Sequence, residues 1–511
     1  MKHIILSFLI TIIGCLSIEA SDEPIKREMR GTWIASIYGL DWPKMSGTDA
    51  ATVNQQKASL DKMLDQLKAA GMNAVMFQVR TFCDALYKSE LEPWAVALTG
   101  KRGTAQAVDW DPLAYCVEQA HARGMECHAW VNPFRYATSA TPYTDKFDKE
   151  MRPMLITFTE RPKTKREKAK TTVILDPGNK KAREHVVKVC KDIISRYDVD
   201  GLIFDDYFYP DRLPLGGKYD FDEWKKSGTK LSQADWRRDN VNRTVQAVYE
   251  MIQETKPYVA FGISPAGVGG GNGVSSSRYG LEKSPGSDWM YDRIFCDPLA
   301  WMAEGHVDYV SPQIYWNHDH KTNPYGSLAK WWSQAADKLN RHFYASHSLS
   351  SFASKGGDTA TAWKERGAQI ETNRRHSVHE SPGSIMYAAR NINGFGKHLA
   401  ANQYSTPALT PVFKWKESHD PGKVKKLRLN KNILEWQPVD KLCRYTIYAI
   451  PEDISLLDAM SVDHGGISAE YLLGVSYSPK FTIPADKQKG YRFAVVPYDR
   501  YGYEWEAEIT D

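Results

Sequence analysis

The chain predicts a closed (β/α)8 barrel followed by a small all-β sandwich, and three observations carry that expectation. From Arg27 to about Ala400 one unit recurs, a short β-rich run, a loop and an amphipathic helix, and eight such runs can be counted. No GxGxxG follows the first run, which disfavours an open doubly wound sheet. Beyond "STPALTP" the helical pattern stops and short alternating strands take over.

Ahead of the first run stand Lys2, His3, an apolar stretch from Ile4 to about Ile18 and the polar "EASDEP". This is the layout of a secretory signal over residues 1–20, and the run is short for a membrane anchor. Two processing sites compete. Cleavage after Ala20 releases a soluble protein, whereas "IIGC" ending at Cys15 resembles a relaxed bacterial lipobox, in which that cysteine carries lipid. Either way the expected location is outside the cytoplasm: periplasmic, or an outer-membrane or cell-surface lipoprotein.

The first run, "MRGTWIAS", leads to a helix around residues 54–70, whose Leu60, Met63, Leu64 and Leu67 share one face before Gly71 stops it. "NAVMFQVR" comes next, then a helix opened by Asp111 and Pro112 and closed by Gly124. "ECHAWVNP" precedes a long insertion. Val186, Val189, Cys190, Ile193 and Ile194 mark the helix before "DGLIFD", and Val241, Val245, Val248 and Ile252 the one after it. "AFGISP", "YVSPQIYW", "FYASHSL" and "SIMYAA" complete the eight. The barrel is expected over residues 27–403 and the sandwich over 407–511. The tail resembles a fibronectin type III or immunoglobulin-like module, with Trp436 as core tryptophan and Tyr445 in the strand after it, and is expected to prop or bind and to be dispensable for catalysis.

Composition narrows the function. A formal charge of +4 on 511 residues projects no strong field toward nucleic acid or anionic lipid, so no nucleic-acid partner is expected and membrane contact only through lipid at Cys15. The six cysteines beyond Cys15 lack a CxxC or other metal rhythm and read mostly as buried apolar residues, with room for one disulfide. No cofactor is expected.

Chemistry in such a barrel sits where strands end. Gln78 and Arg80, His128, Trp130 and Asn132, Asp205 and Asp206, Gln313, Tyr315 and Trp316, and Ser346 and His347 all fall there. "DGLIFDDYFYP" is the most telling stretch: a buried run ending in two carboxylates and three rings, Tyr207, Phe208 and Tyr209. A carboxylate at a strand end costs folding energy, so chemistry is a reason for it. Asp-Gly, three apolar residues and an aspartate is the arrangement with which several glycosidase barrels place a catalytic carboxylate. The stretch is also similar to the DGxDxDxE strand of chitinase-like barrels, but Ile203 and Tyr207 stand where that pattern has carboxylates. Glycoside hydrolysis needs two carboxyl groups. Asp205 is the first choice, and Asp206, Asp84, Asp288 and Asp319 are candidates for its partner. Arg80 is read as a substrate or carboxylate clamp, or as an ion-pair partner that orients Asp205. The rings Trp33, Trp130, Tyr207, Tyr209, Tyr315 and Trp316 suit sugar faces.

"REMRGTWIAS", "GMNAVMFQVR", "HAWVNPFR", "LDPGNKKAREHVV", "DGLIFDDYFYP", "GISPAG" and "VDYVSPQIYW", in this order, resemble the glycosyl-hydrolase-like family 10 barrel of bacteria over roughly residues 27–400. The resemblance implies a secreted or envelope glycosidase, some relatives cutting peptidoglycan glycan strands whose stem peptides have been removed. It brings Gln78, Arg80, Asn132, Asp205, Asp206, Gln313 and Tyr315 into the site without assigning individual roles.

Two other readings remain open. "NHDH", with His318, Asp319 and His320, would make a metal-dependent hydrolase. A barrel that binds glycan without cutting it is the non-enzyme reading. "GVGGGNGV" at 267–274 lacks the GK[ST] of a phosphate loop and reads as a mobile rim of the cleft.

Overall fold

The computed structural model describes residues 24–510 except 140–142, 144–145, 161, 163–167, 206–207, 350–358, 378–381 and 462–464. The leader, with Cys15 and Ala20, lies outside the described residues, as do Asp206 and Tyr207. No helix among the described residues is long and apolar enough to cross a membrane.

The expected barrel is present. Its strands are β1 (Met29–Ile34), β2 (Ala74–Arg80), β3 (Glu126–Val131), β4 (Gly201–Asp205), β5 (Ala260–Ser264), β6 (Tyr309–Val310), β7 (His342–Phe343 and Ala345–Ser348) and β8 (Gly383–Tyr387). All neighbours pair in parallel. The two halves of β7 flank Tyr344, one bonded to β6 and the other to β8, so this single run joins the ends of the sheet. Ile314 N–H to Ser346 O at 3.1 Å and Ser346 N–H to Pro312 O at 2.9 Å carry the seam toward the mouth. Helices follow the strands as the sequence signals. Asp49 caps Ala50–Ala69, Asp111 accepts from the Leu113 and Ala114 amides to start Pro112–Ala122, and Gly124 turns the chain at φ +66. The insertion after β3 forms a three-stranded antiparallel sheet of Arg135–Ala137, Lys170–Leu175 and Leu155–Glu160.

Strand alternation divides the apolar residues between two cores. Leu202 and Phe204 pack outward under the helices, whereas Ile203 joins Trp33, Met76, Trp130, Tyr309, Tyr344 and Ile385 inside the barrel. Small residues make room for the large inward rings. A Cβ on Gly201 would lie 2.2 Å from His128, one on Gly262 2.1 Å from Tyr309 and one on Gly383 2.2 Å from Tyr344. The described cysteines are all free, and five of the six are buried.

After the barrel the chain forms two antiparallel sheets. One contains Lys425–Asn430, Ile433–Gln437 and Lys480–Thr482; the other Leu472–Ser476, Arg444–Pro451, Tyr491–Tyr498 and Glu508–Ile509. Leu434, Trp436, Tyr445, Ile447, Ile483 and Phe493 share one core, with the Trp436 and Tyr445 rings 5.0 Å apart edge to face. These sheets cover the end of the barrel where strands begin. Phe413, from the connecting segment, inserts into the lower layer of the lumen.

Candidate active site

At the opposite end, β4 delivers Asp205 inward, in register with Ser264 of β5. Backbone amides fix its surroundings through a relay. The Ser36 and Ile37 N–H groups both donate to Gln78 Oε1 at 2.9 Å, which obliges Gln78 Nε2 to donate outward, to Asn132 Oδ1 at 2.7 Å. Asn132 then has only its NH₂ to offer, and Nδ2 donates to Asp205 Oδ2. Arg135 Nη2 stands 3.5 Å from the same oxygen. Asp205 is thus a 5 % exposed acceptor with a neutral amide and a guanidinium among its partners.

Above it opens a cavity of about 280 Å³ with aromatic walls, Trp33, Trp130, Tyr38, Tyr315 and Tyr387, and polar edges at Gln78, Arg135, Ser264 and Gln313. Trp33 and Trp130 meet edge to face at 4.8 Å, and Tyr315 stacks on Tyr387 at 6.0 Å. Ser346 Oγ ties Trp33 Nε1 (3.0 Å) to Tyr315 OH (3.4 Å). The Trp130 indole N–H has no acceptor among the described residues. Rings with polar rims around one carboxylate suit a hydroxyl-rich ring with apolar faces.

Of the sequence candidates, Gln78, Trp130, Asp205, Gln313 and Tyr315 line this cavity, and Asn132 stands directly behind Asp205. Four others stand elsewhere. Arg80 is fully buried outside the barrel wall and is no substrate clamp: a bidentate pair with Glu92 at 2.7 and 2.5 Å and bonds to the Asn132 and Pro133 carbonyls occupy its guanidinium. Burial opposes the Glu92 charge, but Arg80 and His185 outweigh it and hold that carboxyl at about 2. His347 also points outward, its ring between Gln369 and Ser384 at 2.9 Å each, and burial pushes it down to about 3, so it stays neutral. Tyr209 is core, packed on Phe295 and Arg237. Trp316 packs behind the mouth against the outer core, 6.0 Å from the His320 ring.

Among the partner candidates, Asp84 lines an adjoining cavity; burial pushes its carboxyl above the usual range although Arg102 stands 3.8 Å away. Asp288 is buried at the start of a short helix, within 3.4 to 3.5 Å of the Val274 amide and Ser275 Oγ, and Asp319 is exposed. His318 is engaged by Glu365 and Thr372 at 2.9 and 3.0 Å, and no group of three His, Cys, Asp or Glu among the described residues could hold a metal ion. The glycine stretch is no loose rim. A Cβ on Gly267 would lie 2.4 Å from Gln313 O and one on Gly271 2.1 Å from Gly286 O, so it is packed backbone against backbone. Sequence reasoning missed Tyr38, Arg135 and Tyr387 as cavity residues. Arg135 closes the motif "HAWVNPFR" and Tyr387 ends β8, so strand-end position was the available signal for both.

A family model described as Glycosyl hydrolase-like 10 matches residues 28–356, the span from β1 to past β7 that contains the Asp205 cavity. The chain belongs to this family. Within it, the chain is 32% identical over 428 residues to Glycosyl hydrolase YngK of Bacillus subtilis, covering 80% of this chain and 79% of the relative. To Glycosyl hydrolase DigH of Escherichia coli K12 it is 34% identical over 338 residues, 64% of this chain and 74% of the relative. Among solved structures, the glycoside hydrolase domain of PgaB (BpsB) from Bordetella bronchiseptica matches with a TM-score of 0.48 at 12% identity, over 74% of this chain and 98% of that one. Alpha-L-fucosidase isoenzyme 2 from Paenibacillus thiaminolyticus gives 0.44 at 13% identity, over 74% of this chain and 49% of that enzyme, about half its length.

Proposed function

We propose that this protein is an exported glycoside hydrolase that cuts glycosidic bonds of a polysaccharide, with peptidoglycan glycan strands freed of stem peptides as the leading substrate. The observation that carries this reading is Asp205, inward at the mouth, oriented by the Gln78–Asn132 relay and facing an aromatic cavity. Asp205 supplies one carboxyl of the two that hydrolysis needs, as nucleophile or as the base that activates water. The other comes from Asp206, next in the chain, or from Asp84, whose upward shift is the direction required of a group that must arrive protonated. Trp33, Trp130 and the Tyr315–Tyr387 pair grip the sugar, while Gln313, Arg135 and Gln78 meet its hydroxyls. No cofactor takes part. Export rests on the leader, with release after Ala20 or lipid at Cys15 deciding between a periplasmic enzyme and an envelope lipoprotein. The C-terminal sheets, three strands against four around Trp436, support a fibronectin type III-like module without a catalytic role.

The test is mass spectrometry of products after incubation with amidase-treated peptidoglycan, beside intact peptidoglycan, chitin and plant glycans. New reducing ends from the first, abolished in Asp205→Asn, are expected. Binding without any cleavage would leave a glycan-binding barrel instead, and a reaction stopped by chelator would restore the metal reading.

A further inference from the structure

A second cavity, of about 410 Å³, opens beside the Asp205 cavity, and Ile37 and Tyr38 line both. Tyr38 forms the saddle between them. Its backbone is held at φ +53, a costly conformation for an aromatic residue, and its hydroxyl reaches Thr138 Oγ1 at 3.1 Å, yet 69% of the residue is exposed. A ring kept in a strained position with little burial in return is a ring kept for contact with something else. Its centroid lies 5.7 Å from that of Phe82, and Tyr143 adds a further ring to the same cavity. The floor is polar. Asp84 Oδ1 accepts from the Phe82 and Thr81 amides at 2.9 and 3.3 Å, while Lys44 stands at the rim.

Size separates the roles of the two cavities. Sites for small molecules span roughly 300–1,000 Å³, so the Asp205 cavity falls just short of that range and the second lies within it. A carboxylate that cuts an interunit bond needs sugar on both sides of the bond, and the Asp205 cavity alone does not house both. We propose that the second cavity is a carbohydrate subsite, and that the ligand is an oligosaccharide laid across Tyr38 with its scissile bond at Asp205. One sugar face packs on Phe82 and Tyr143, and its hydroxyls meet Thr81 and Lys44. This inference rests on the glycoside-hydrolase reading and extends it to cleavage within a chain.

Calorimetric titration of the Asp205→Asn protein tests it, with chito-oligosaccharides and peptide-free glycan strands of two to six units as probes. Kd is expected to tighten at least tenfold as the probe becomes long enough to cross Tyr38. Val96→Trp, an exposed position on the second cavity that tolerates a larger side chain, and independently Phe82→Ala, are expected to reduce that gain to less than threefold. An undiminished length gain in both variants, or no binding of any probe, overturns the proposal. Length-dependent binding that collapses in the variants while the wild type releases no product keeps the subsite and removes the hydrolase reading. Equal kcat/KM for all lengths, unchanged by either substitution, does the reverse.

Discussion

The two ends of the barrel both bury carboxylates at strand termini, and they surround them differently. At the end where strands begin, three buried acids are matched by cations from the C-terminal segment, while Glu28 is paired within the barrel by Arg30 and Arg374 at 2.8 and 2.9 Å. Glu126 meets Arg444 at 2.7 Å, Asp200 meets Arg500 at 3.0 Å and His121 at 2.8 Å, and Asp308 meets Lys416 and the Trp415 indole at 2.9 Å each. At the mouth, Asp205 has the Asn132 amide and Arg135, 3.5 Å away, among its partners, and an aromatic cavity opens above it. Close ion pairs hold a carboxylate in place and lower its basicity, and the lower acids carry them at 2.7 to 3.0 Å; the pair to Asp205 is longer, and Asp205 lines a cavity that a substrate can enter. On the proposed function, the difference separates acids that close the fold from the acid that works.

The largest effect should come from removing the lower end altogether. The sequence reading expects the tail to be dispensable for catalysis, so that a chain ending near Gln403 would still cut. The structure predicts a folding defect, since Glu126, Asp200 and Asp308 would lose their C-terminal partners and the lumen its Phe413 plug. Such a chain should lack a cooperative melt by circular dichroism; a sharp transition near that of the full chain would show the lower ion pairs to be incidental.

How far the sequence reached depends on how local each signal is. Period-2 alternation in "DGLIFD" puts Ile203 and Asp205 on one side, the side the barrel turns inward, and the caps at Asp111 and Gly124 mark a helix, because both signals are local. The same alternation misplaces Arg80. It should share the inward side with Gln78, but the ladder with β3 slips between them, Gln78 opposite Trp130 and Arg80 opposite Val131, and this irregularity turns Arg80 out toward Glu92. At β7 the phase is ambiguous in sequence: Ser346 faces the lumen and His347 the helices. Arg444 lies 318 residues from Glu126, a pairing that no local pattern announces.

Single substitutions should give smaller losses at the same end. Arg500→Met leaves Asp200 buried beside fewer charges and is expected to cost about 3–5 kcal/mol in a urea melt, while activity per folded molecule is retained. Gly262→Ala drives a methyl into Tyr309 and should cost about 1–3 kcal/mol, again without altering turnover. A loss of turnover in either folded variant would erase the distinction between the two ends.

Acidification should give a graded effect. Burial works against the Glu126 charge, but Arg444 and His128 outweigh it and hold that carboxyl at about 2, as Arg80 and His185 do for Glu92. These values lie below the ordinary 4.5, so the unfolded chain takes up these protons first. The stabilisation is therefore complete above about pH 4.5 and is lost as pH falls toward 2. Thermal midpoints measured from pH 6 down to 2.5 should fall mainly below pH 4.5, and Glu126→Gln should flatten part of that fall.

The central claim is that Asp205 works and the acids below it do not. Asp205→Asn keeps the shape of the side chain and removes its charge and basicity, so the decisive measurement is glycan-releasing rate and melting temperature on one preparation of that variant. Turnover reduced at least 10²- to 10⁴-fold, on the order of 3–5 kcal/mol of barrier, with a melting temperature within a few degrees of wild type, is predicted. Near-wild-type turnover in folded Asp205→Asn, or a collapse in melting temperature with the residual folded protein fully active, would contradict it.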